Sequence, residues 1–361
     1  MSDRGGRLAA VKAEIDKVKR AIQDLRKKKM DGGLGSLGTK GDATLRVNGA
    51  TRIKLRRDLN GHFGKIYAVD WSGDGREVVS AAQDGKLILW DALSGHKLLG
   101  VPLRSSWVMT CSYEQTNANG NRLAACGGLD NACSIYSLKD RENMEKSRKP
   151  VQVLSGHDGY IACNKFIDAR TVLTASGDHS ICKWDTESGK MVTTFFGHEA
   201  DVMSISPNPK NVFTFISGSC DFTAKLWDIR VNKAVQNFEK CHTEDINAVS
   251  FFPSGEAFAT GSDDGQVRIF ELRCRNEVAL MGGNGGPQIA SHVHTLGFSK
   301  SGRILFAGYD DSKCRGWDIL KPSQPFCVMS DHEMRVASLS VSPSGDSLCT
   351  GSWDSSVKIF A

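Results

Sequence analysis

The sequence lacks long apolar runs. None of its hydrophobic segments approaches the roughly 20 residues that a membrane-spanning helix needs, so we expect no such span. The first twenty residues carry charges throughout, which argues against a signal peptide, and the last residues offer no cysteine for prenylation. Eleven cysteines occur without a CxxC pair or zinc spacing, a pattern that favours reduced thiols over a disulfide framework.

Motifs for catalysis are also scarce. The sequence contains no Walker motif and no serine-nucleophile motif, and "GGNGGP" (282–287) precedes no predicted helix that could help cradle a phosphate. His292 and His294 share one strand face, but no carboxylate or cysteine lies at metal-ligand spacing. We therefore expect no enzyme, no cofactor and no metal.

Charge is unevenly distributed along the chain. Residues 1–60 hold 16 Lys and Arg against 7 Asp and Glu, whereas the other residues hold 30 against 34. Nucleic acid and an anionic membrane surface both attract such a basic segment. "LRKKK" (25–29) is too short to decide between them, and a solvated helix end is the simpler interpretation.

One frame recurs seven times: an aspartate, five residues, then an aromatic residue. The aromatics stand 43 to 48 residues apart, and a loop histidine and a strand Ser or Thr precede several of them; they are Trp90, Tyr136, Trp184, Trp227, Phe270, Trp317 and Phe360. A period in the forties with these signatures is typical of WD repeats, each of which forms a four-stranded propeller blade. The sequence predicts an all-β fold, a seven-bladed WD-repeat β-propeller over residues 47–361.

The repeated polar residues have a structural interpretation. A loop histidine, a strand hydroxyl, a turn aspartate and an indole N–H can satisfy one another's hydrogen bonds inside a blade. Three blades have the full set, in which the histidine, aspartate and tryptophan are His62, Asp84 and Trp90; His157, Asp178 and Trp184; and His198, Asp221 and Trp227. Blades two, five, six and seven lack members, so we expect packing to matter more there. Because the motif recurs, we interpret Cys220 beside Asp221 as a small filler rather than a nucleophile.

The last repeat ends one residue before the end of the sequence, so blade seven lacks its outermost strand. "TRIKLRRDL" (51–59) alternates apolar and polar residues and precedes the first repeat. We predict that residues 51–59 supply the missing strand and close the ring.

A heptad stripe precedes the propeller. Apolar residues recur at steps of three and four, at Leu8, Val11, Ile15, Val18, Ile22 and Leu25. This narrow stripe predicts a coiled-coil helix over residues 1–30, followed by a glycine-rich linker over 31–46. The flanking positions are mostly basic, which favours an acidic partner helix over self-pairing. A helix lying against its own propeller is the alternative.

Comparison of the repeats with one another identifies a mixed set of residues. The residues just before the innermost strands, and those two positions later, differ in type from blade to blade and are often large: Lys65, Trp107, Tyr160, Asp201, Asp245, His292 and Arg335, then Tyr67, Met109, Ala162, Met203, Asn247, His294 and Ala337. A structural requirement would repeat one residue type. We therefore expect an interaction surface around one mouth of the channel.

The sequence resembles the β subunits of heterotrimeric G proteins. The resemblance covers most of the chain and is most specific in "PLRSSWVMTC" (102–111) and "GSWDS" (351–355), which generic propellers do not share. It departs from the family in the linker, in "KDRENMEKSRKP" (139–150) and in "MGGNGGPQIASHVH" (281–294).

The resemblance implies specific partners. The helix would form an obligate dimer with a γ subunit, whose prenyl group would supply the membrane anchor at the inner face of the plasma membrane. The mouth would bind a GDP-bound α subunit and, after its release, effectors; nucleic acid would not be a partner. The implied contact residues are Lys65, Tyr67, Lys86, Lys97, Trp107, Leu129, Asn131, Tyr160, Asp201, Met203, Asp245, Asn247, Asp263 and Trp353.

Two other classes of function remain open from the residues alone. A kinase-anchoring or ubiquitin-ligase adaptor propeller would share the fold, since fold alone does not determine function. A nucleic-acid-binding protein would use the basic segment and would be retained on DNA in a strongly salt-dependent way.

Overall fold

The structure described here is all strand, turn and loop. The computed structural model describes residues 53–116, 122–139, 149–239, 241–282 and 291–361, and within these ranges the chain forms 28 strands and no helix. The predicted coiled-coil helix (1–30) and linker (31–46) lie outside the described residues, as do most of the 139–150 and 282–287 segments. No helix in the described ranges is long and apolar enough to cross a bilayer.

The strands form seven antiparallel four-stranded sheets. The first strand, β1 (Leu55–Asn60), lies apart from its sequence neighbours, and the others follow in blade order. Blade one contains β2 (Ile66–Trp71), β3 (Glu77–Ala82), β4 (Lys86–Asp91) and β5 (Lys97–Pro102). Blade two contains β6 (Val108–Tyr113), β7 (Leu123–Gly128), β8 (Ala132–Ser137) and β9 (Gln152–Ser155). Blade three contains β10 (Ile161–Asp168), β11 (Thr171–Ser176), β12 (Ile181–Asp185) and β13 (Met191–Phe195).

The remaining blades follow the same plan. Blade four contains β14 (Val202–Pro207), β15 (Thr214–Ser219), β16 (Ala224–Asp228) and β17 (Val231–Phe238). Blade five contains β18 (Ile246–Phe251), β19 (Ala257–Ser262), β20 (Val267–Glu271) and β21 (Glu277–Met281). Blade six contains β22 (Val293–Phe298), β23 (Ile304–Tyr309), β24 (Cys314–Asp318) and β25 (Lys321–Met329). Blade seven contains β26 (Val336–Val341), β27 (Leu348–Ser352) and β28 (Ser356–Phe360), with β1 outermost.

The ring is closed through blade seven. The innermost strands neighbour one another in sequence order, and β26 neighbours β2. β1 pairs antiparallel with β28, and Lys54 and Ala361 exchange two backbone hydrogen bonds of 3.1 Å beyond the strand. The prediction that the segment before the first repeat completes blade seven is confirmed.

The closing strand differs from the prediction in its start and in its buried face. It begins at Leu55 rather than at residue 51, and Leu55 is exposed although the alternation places it inward. A register shift between Leu55 and Arg57 places Ile53 and Leu59 on opposite faces of the strand, because a bulge reverses the face on which later residues lie. Ile53 and Leu59 supply the buried contacts instead.

The apolar core is divided among the gaps between blades. Each buried cluster draws residues from two neighbouring sheets; Leu59 and Val69, for example, pack with Cys349 and Val357 between blades one and seven. No blade can cover both of its faces alone, so each depends on its neighbours.

The predicted hydrogen-bond network forms in all three blades that have its residues. In blade four, His198 contacts Asp221 through Nδ1 and Ser217 through Nε2, each at 2.7 Å, and the Trp227 indole donates to Ser217 Oγ at 2.7 Å. Blades one and three repeat the arrangement with His62, Ser80, Asp84 and Trp90, and with His157, Thr174, Asp178 and Trp184.

The other blades keep part of the network or replace it. Blades five and seven retain the histidine, hydroxyl and aspartate at 2.7–2.8 Å, although phenylalanine replaces tryptophan. In blade six the Trp317 indole donates to the Tyr309 hydroxyl at 3.2 Å. In blade two Arg104 stands at the histidine position, and a small cavity beside it is lined by Cys126 and Tyr136.

Candidate protein interaction surface

The residues singled out by comparison of the repeats lie where the register predicts. The first residue of each pair directly precedes an innermost strand, and the second is that strand's second residue, in β2, β6, β10, β14, β18, β22 and β26. We call these fourteen residues, together with the turns that follow the second strand of each blade, the mouth surface.

In each blade, one backbone hydrogen bond places this turn beside the residue that precedes the innermost strand. In every blade the first turn residue donates its N–H to the carbonyl of the residue before the innermost strand, at 2.8–3.2 Å. The pairs are Gln83–Lys65, Leu129–Trp107, Gly177–Tyr160, Cys220–Asp201, Asp263–Asp245, Asp310–His292 and Trp353–Arg335. The bond therefore brings three residues implied by the resemblance next to the start of an innermost strand: Leu129, Asp263 and Trp353.

Blades seven and one carry a basic and aromatic group. Lys65 Nζ and Arg335 Cζ each lie 3.9 Å from the centre of the Trp353 ring. Tyr67 meets the same ring edge-on, with centroids 5.7 Å apart. Cations held this close to an indole face gain cation–π attraction and keep the side chains in fixed positions. The group forms a positively charged patch of the mouth surface whose side chains contact one another.

Blades four and five place carboxylates, which carry negative charge, at the mouth surface. The Tyr160 hydroxyl donates to Asp201 Oδ2 at 2.7 Å and lies 3.6 Å from Met203 Sδ. Burial, followed by the bond to Asp201, raises the pKa of Tyr160, so its hydroxyl remains a donor. In blade five, Asn247 Nδ2 donates to Asp263 Oδ1 at 2.6 Å. The mouth surface is thus polarised, with carboxylates on one side and cations on the other.

Blade two presents exposed apolar side chains. Trp107 is 44% exposed and Leu129 is 50% exposed, while Met109 on β6 is half-buried. Asn131 adopts a left-handed turn conformation (φ 58°) and donates from Nδ2 to the Asp158 carbonyl at 3.1 Å. A large exposed indole on a rigid strand end is typical of an interface anchor.

The two remaining lysines of the predicted set lie apart. Lys86 begins β4 at the mouth and lies over the Phe63 ring, 5.2 Å from its centre. Lys97 begins the outermost strand β5 and pairs with Trp90, at the opposite end from Pro102, which pairs with Lys86. A partner that contacts Lys97 must therefore extend over the outer flank of blade one.

Comparison with known proteins agrees with this geometry. A family model described as "G protein beta WD-40 repeat protein" matches residues 5–361. The guanine nucleotide-binding protein subunit beta of Arabidopsis thaliana is 41% identical over 87% of this chain and 85% of its own length. That of Nicotiana plumbaginifolia is 38% identical over 94% of both chains, and that of Oryza sativa subsp. japonica is 37% identical over 98% and 95%. The chain belongs to the G protein β subunit family.

Two exposed aromatics, one beside the mouth surface and one on it, escaped the sequence comparison in this family member. Phe63 is 86% exposed in the loop before β2, and Phe222 is 42% exposed in the turn after β15. Phe222 has a φ of 66°, a left-handed conformation that bulky residues rarely adopt. Aligning the loops could have found Phe63, since Asp158, Glu199 and Glu333 follow the histidine in other blades.

Cys220 should be a poorly reactive thiol although it lies half-exposed on the mouth surface. Burial and its hydrogen bond to Asp245 raise the pKa of Cys220 to about 12, and the thiolate is the reactive form. At neutral pH we expect iodoacetamide to label the exposed Cys274 at least about tenfold faster than Cys220. Peptide mass spectrometry over a time course measures both rates, and equal rates would contradict the assignment.

Proposed function

We propose that this chain is the β subunit of a heterotrimeric guanine nucleotide-binding protein. In this proposal it dimerises with a γ subunit, binds a GDP-bound α subunit through the mouth surface, and signals to effectors after the α subunit leaves. Membership of the family supports the proposal, and the polarised, aromatic mouth surface is the observation that carries it.

The chemistry of the mouth surface suits a large protein partner. Exposed Trp107 and Leu129 offer apolar anchors, and charges of opposite sign on the two sides would fix the partner's orientation. Hydrogen bonds or cation–π contacts hold Tyr160, Asn247 and Trp353, so little ordering of these side chains is needed on binding. A rigid surface of this kind distinguishes the two nucleotide states of a partner if only one of them matches it.

The part of the proposal that concerns the γ subunit rests on residues outside the described ranges. The heptad stripe in residues 1–30 would pair with the γ subunit, and the prenyl group of that subunit would anchor the dimer at the inner face of the plasma membrane. The propeller itself would act by binding, without catalysing a reaction.

Replacing Trp107 tests the proposed surface. We expect Trp107→Ala to weaken binding to the GDP-bound α subunit by about 2 kcal/mol or more, because an aromatic anchor at an interface centre often contributes that much. Biosensor titration of the intact chain, purified with its γ subunit, gives the change in Kd.

The matched control is Leu320→Ala, which removes an exposed apolar side chain, 70% accessible, from the loop between β24 and β25. The control should bind like the unaltered chain, and both variants should melt normally. An unchanged affinity for Trp107→Ala would exclude Trp107 from the anchors.

A further inference from the structure

Blade six holds two histidines, His292 and His294, at the boundary between the acidic and basic sides of the mouth surface. Three charged groups face them: Asp263 from blade five, Asp310 from their own blade and Arg335 from blade seven. Among the described residues no group of three or more potential ligands could hold a metal ion. The charged contacts of the two histidines are instead with the carboxylates of Asp263 and Asp310.

The two histidines make the same kind of contact. His292 Nδ1 lies 3.0 Å from Asp263 Oδ1, and Asn247 Nδ2 donates to that same oxygen at 2.6 Å. His294 Nε2 lies 3.3 Å from Asp310 Oδ1, which also accepts from Arg335 Nε at 2.7 Å. Each histidine thus shares one carboxylate oxygen with a mouth residue from a neighbouring blade.

Because the carboxylate oxygens are shared, the histidines are coupled to Asn247 on one side of the mouth surface and to Arg335 on the other. Asn247 belongs to the acidic side, and Arg335 packs over Trp353 on the basic side. A protonated imidazole binds a carboxylate more strongly than a neutral one does, since the contact becomes an ion pair. Protonation of His294 would therefore compete with Arg335 for Asp310, and it would place the imidazolium beside the Arg335 guanidinium, since both contact the same oxygen.

We propose that His294 is a positioning residue that makes partner binding at the mouth surface depend on pH, while His292 lies beside it against Asp263. Neutral His294 leaves Arg335 in the arrangement seen here, which binds the partner. Protonation of His294 loosens that arrangement, so binding weakens on acidification. The inference rests on the proposed function, because the partner it concerns is the α subunit.

The pH range follows from the surroundings of His294. Burial and the neighbouring Arg335 guanidinium lower the pKa of His294 below its ordinary value, against the opposing pull of Asp310. The lowered pKa favours the neutral form of His294 at pH 7.5, so this histidine gains its proton on acidification. His292 is more accessible, with 53% of its side chain exposed, so a bound partner can contact it directly.

The test compares binding at two pH values. The intact chain, purified with its γ subunit, is titrated with GDP-bound α subunit at pH 7.5 and pH 6.0. We expect the affinity to fall about fivefold in acid, as linkage to one or two protons allows. In His292→Gln/His294→Gln, which keeps neutral hydrogen-bonding groups, the fall should be less than about twofold.

His96→Gln is the matched control, because His96 is exposed in the loop between β4 and β5, away from the mouth surface. It should show the same fall as the unaltered chain. Equal falls in the unaltered chain and the double variant would overturn the inference, since the α subunit's own titration would then explain them.

A second measurement needs no partner. Movement of Arg335 from the Trp353 ring should change tryptophan emission of the free protein between pH 7.5 and 5.5, and the double variant should lose that change. Identical emission curves would overturn the coupling of the histidines to Trp353. A failure of the α subunit to bind at either pH, with the emission change intact, would overturn the proposed function instead.

Discussion

Deletion of residues 51–59 should leave very little folded protein. β1 would be lost almost entirely, leaving β28 as an open edge and removing Ile53 and Leu59 from the cores on either side of blade seven. An uncovered apolar edge favours aggregation. We expect the yield of folded protein to fall at least about tenfold, because the ring's closure and two buried side chains together exceed the usual margin of stability.

Two substitutions in the same strand sharpen this test. Leu59 is 1% exposed and Leu55 is 37% exposed. Leu59→Asp buries an unpaired charge and should destabilise the fold by about 3 kcal/mol or more, whereas Leu55→Asp should change stability by less than about 0.5 kcal/mol. Thermal melting of both variants measures the difference. Normal yield and melting of the deletion variant, or equal effects of the two substitutions, would contradict closure by β1.

Asp221→Asn should destabilise blade four by about 3 kcal/mol, since it leaves buried partners of a charged network unsatisfied. Burial alone would raise the pKa of Asp221, yet its hydrogen bond to His198 and the charge of that histidine hold the pKa well below its ordinary value. The ionised carboxylate is therefore the form that stabilises the fold. Denaturant unfolding at pH 7 of the variant and the unaltered chain gives the difference.

The pH dependence of that difference has a definite sign. The carboxyl group of Asp221 has a lower pKa in the folded than in the unfolded chain, so its contribution is complete above about pH 5 and is lost as the pH falls through the folded-state value. The difference between variant and unaltered chain should shrink toward pH 3. Asp130→Asn is the matched control, because Asp130 holds the same turn position in blade two, which has no loop histidine; its effect should stay below about 0.5 kcal/mol. A difference that is independent of pH, or equal effects at both positions, would contradict the network's role.

The repeats made much of the fold predictable. A fixed frame of aspartate and aromatic residue sets the register of every blade, and the register in turn identifies the residues that face the mouth. The closing strand could be predicted by counting the strands of the last repeat. The bulge in that strand could not be predicted, because the register shift between Leu55 and Arg57 depends on backbone pairing rather than on side-chain alternation.

The side-chain contacts within the mouth surface could not be predicted from the sequence pattern. Trp353 stands 18 residues after Arg335 and nearly 300 after Lys65, yet the ring brings all three together. The shared carboxylate oxygens of Asp263 and Asp310 likewise depend on the approach of neighbouring blades. Repeat spacing predicts which positions gather at the mouth, but not which side chains touch.

The nucleotide dependence of α-subunit binding tests the whole proposal. The intact chain is purified from its own cells, the small chain that accompanies it is identified by mass spectrometry, and the complex is titrated with the α subunit loaded with GDP or with a non-hydrolysable GTP analogue. A small helical γ subunit should co-purify, and the GDP form should bind far more tightly than the analogue-bound form. Equal binding of the two forms, or no binding of either, would contradict the proposal.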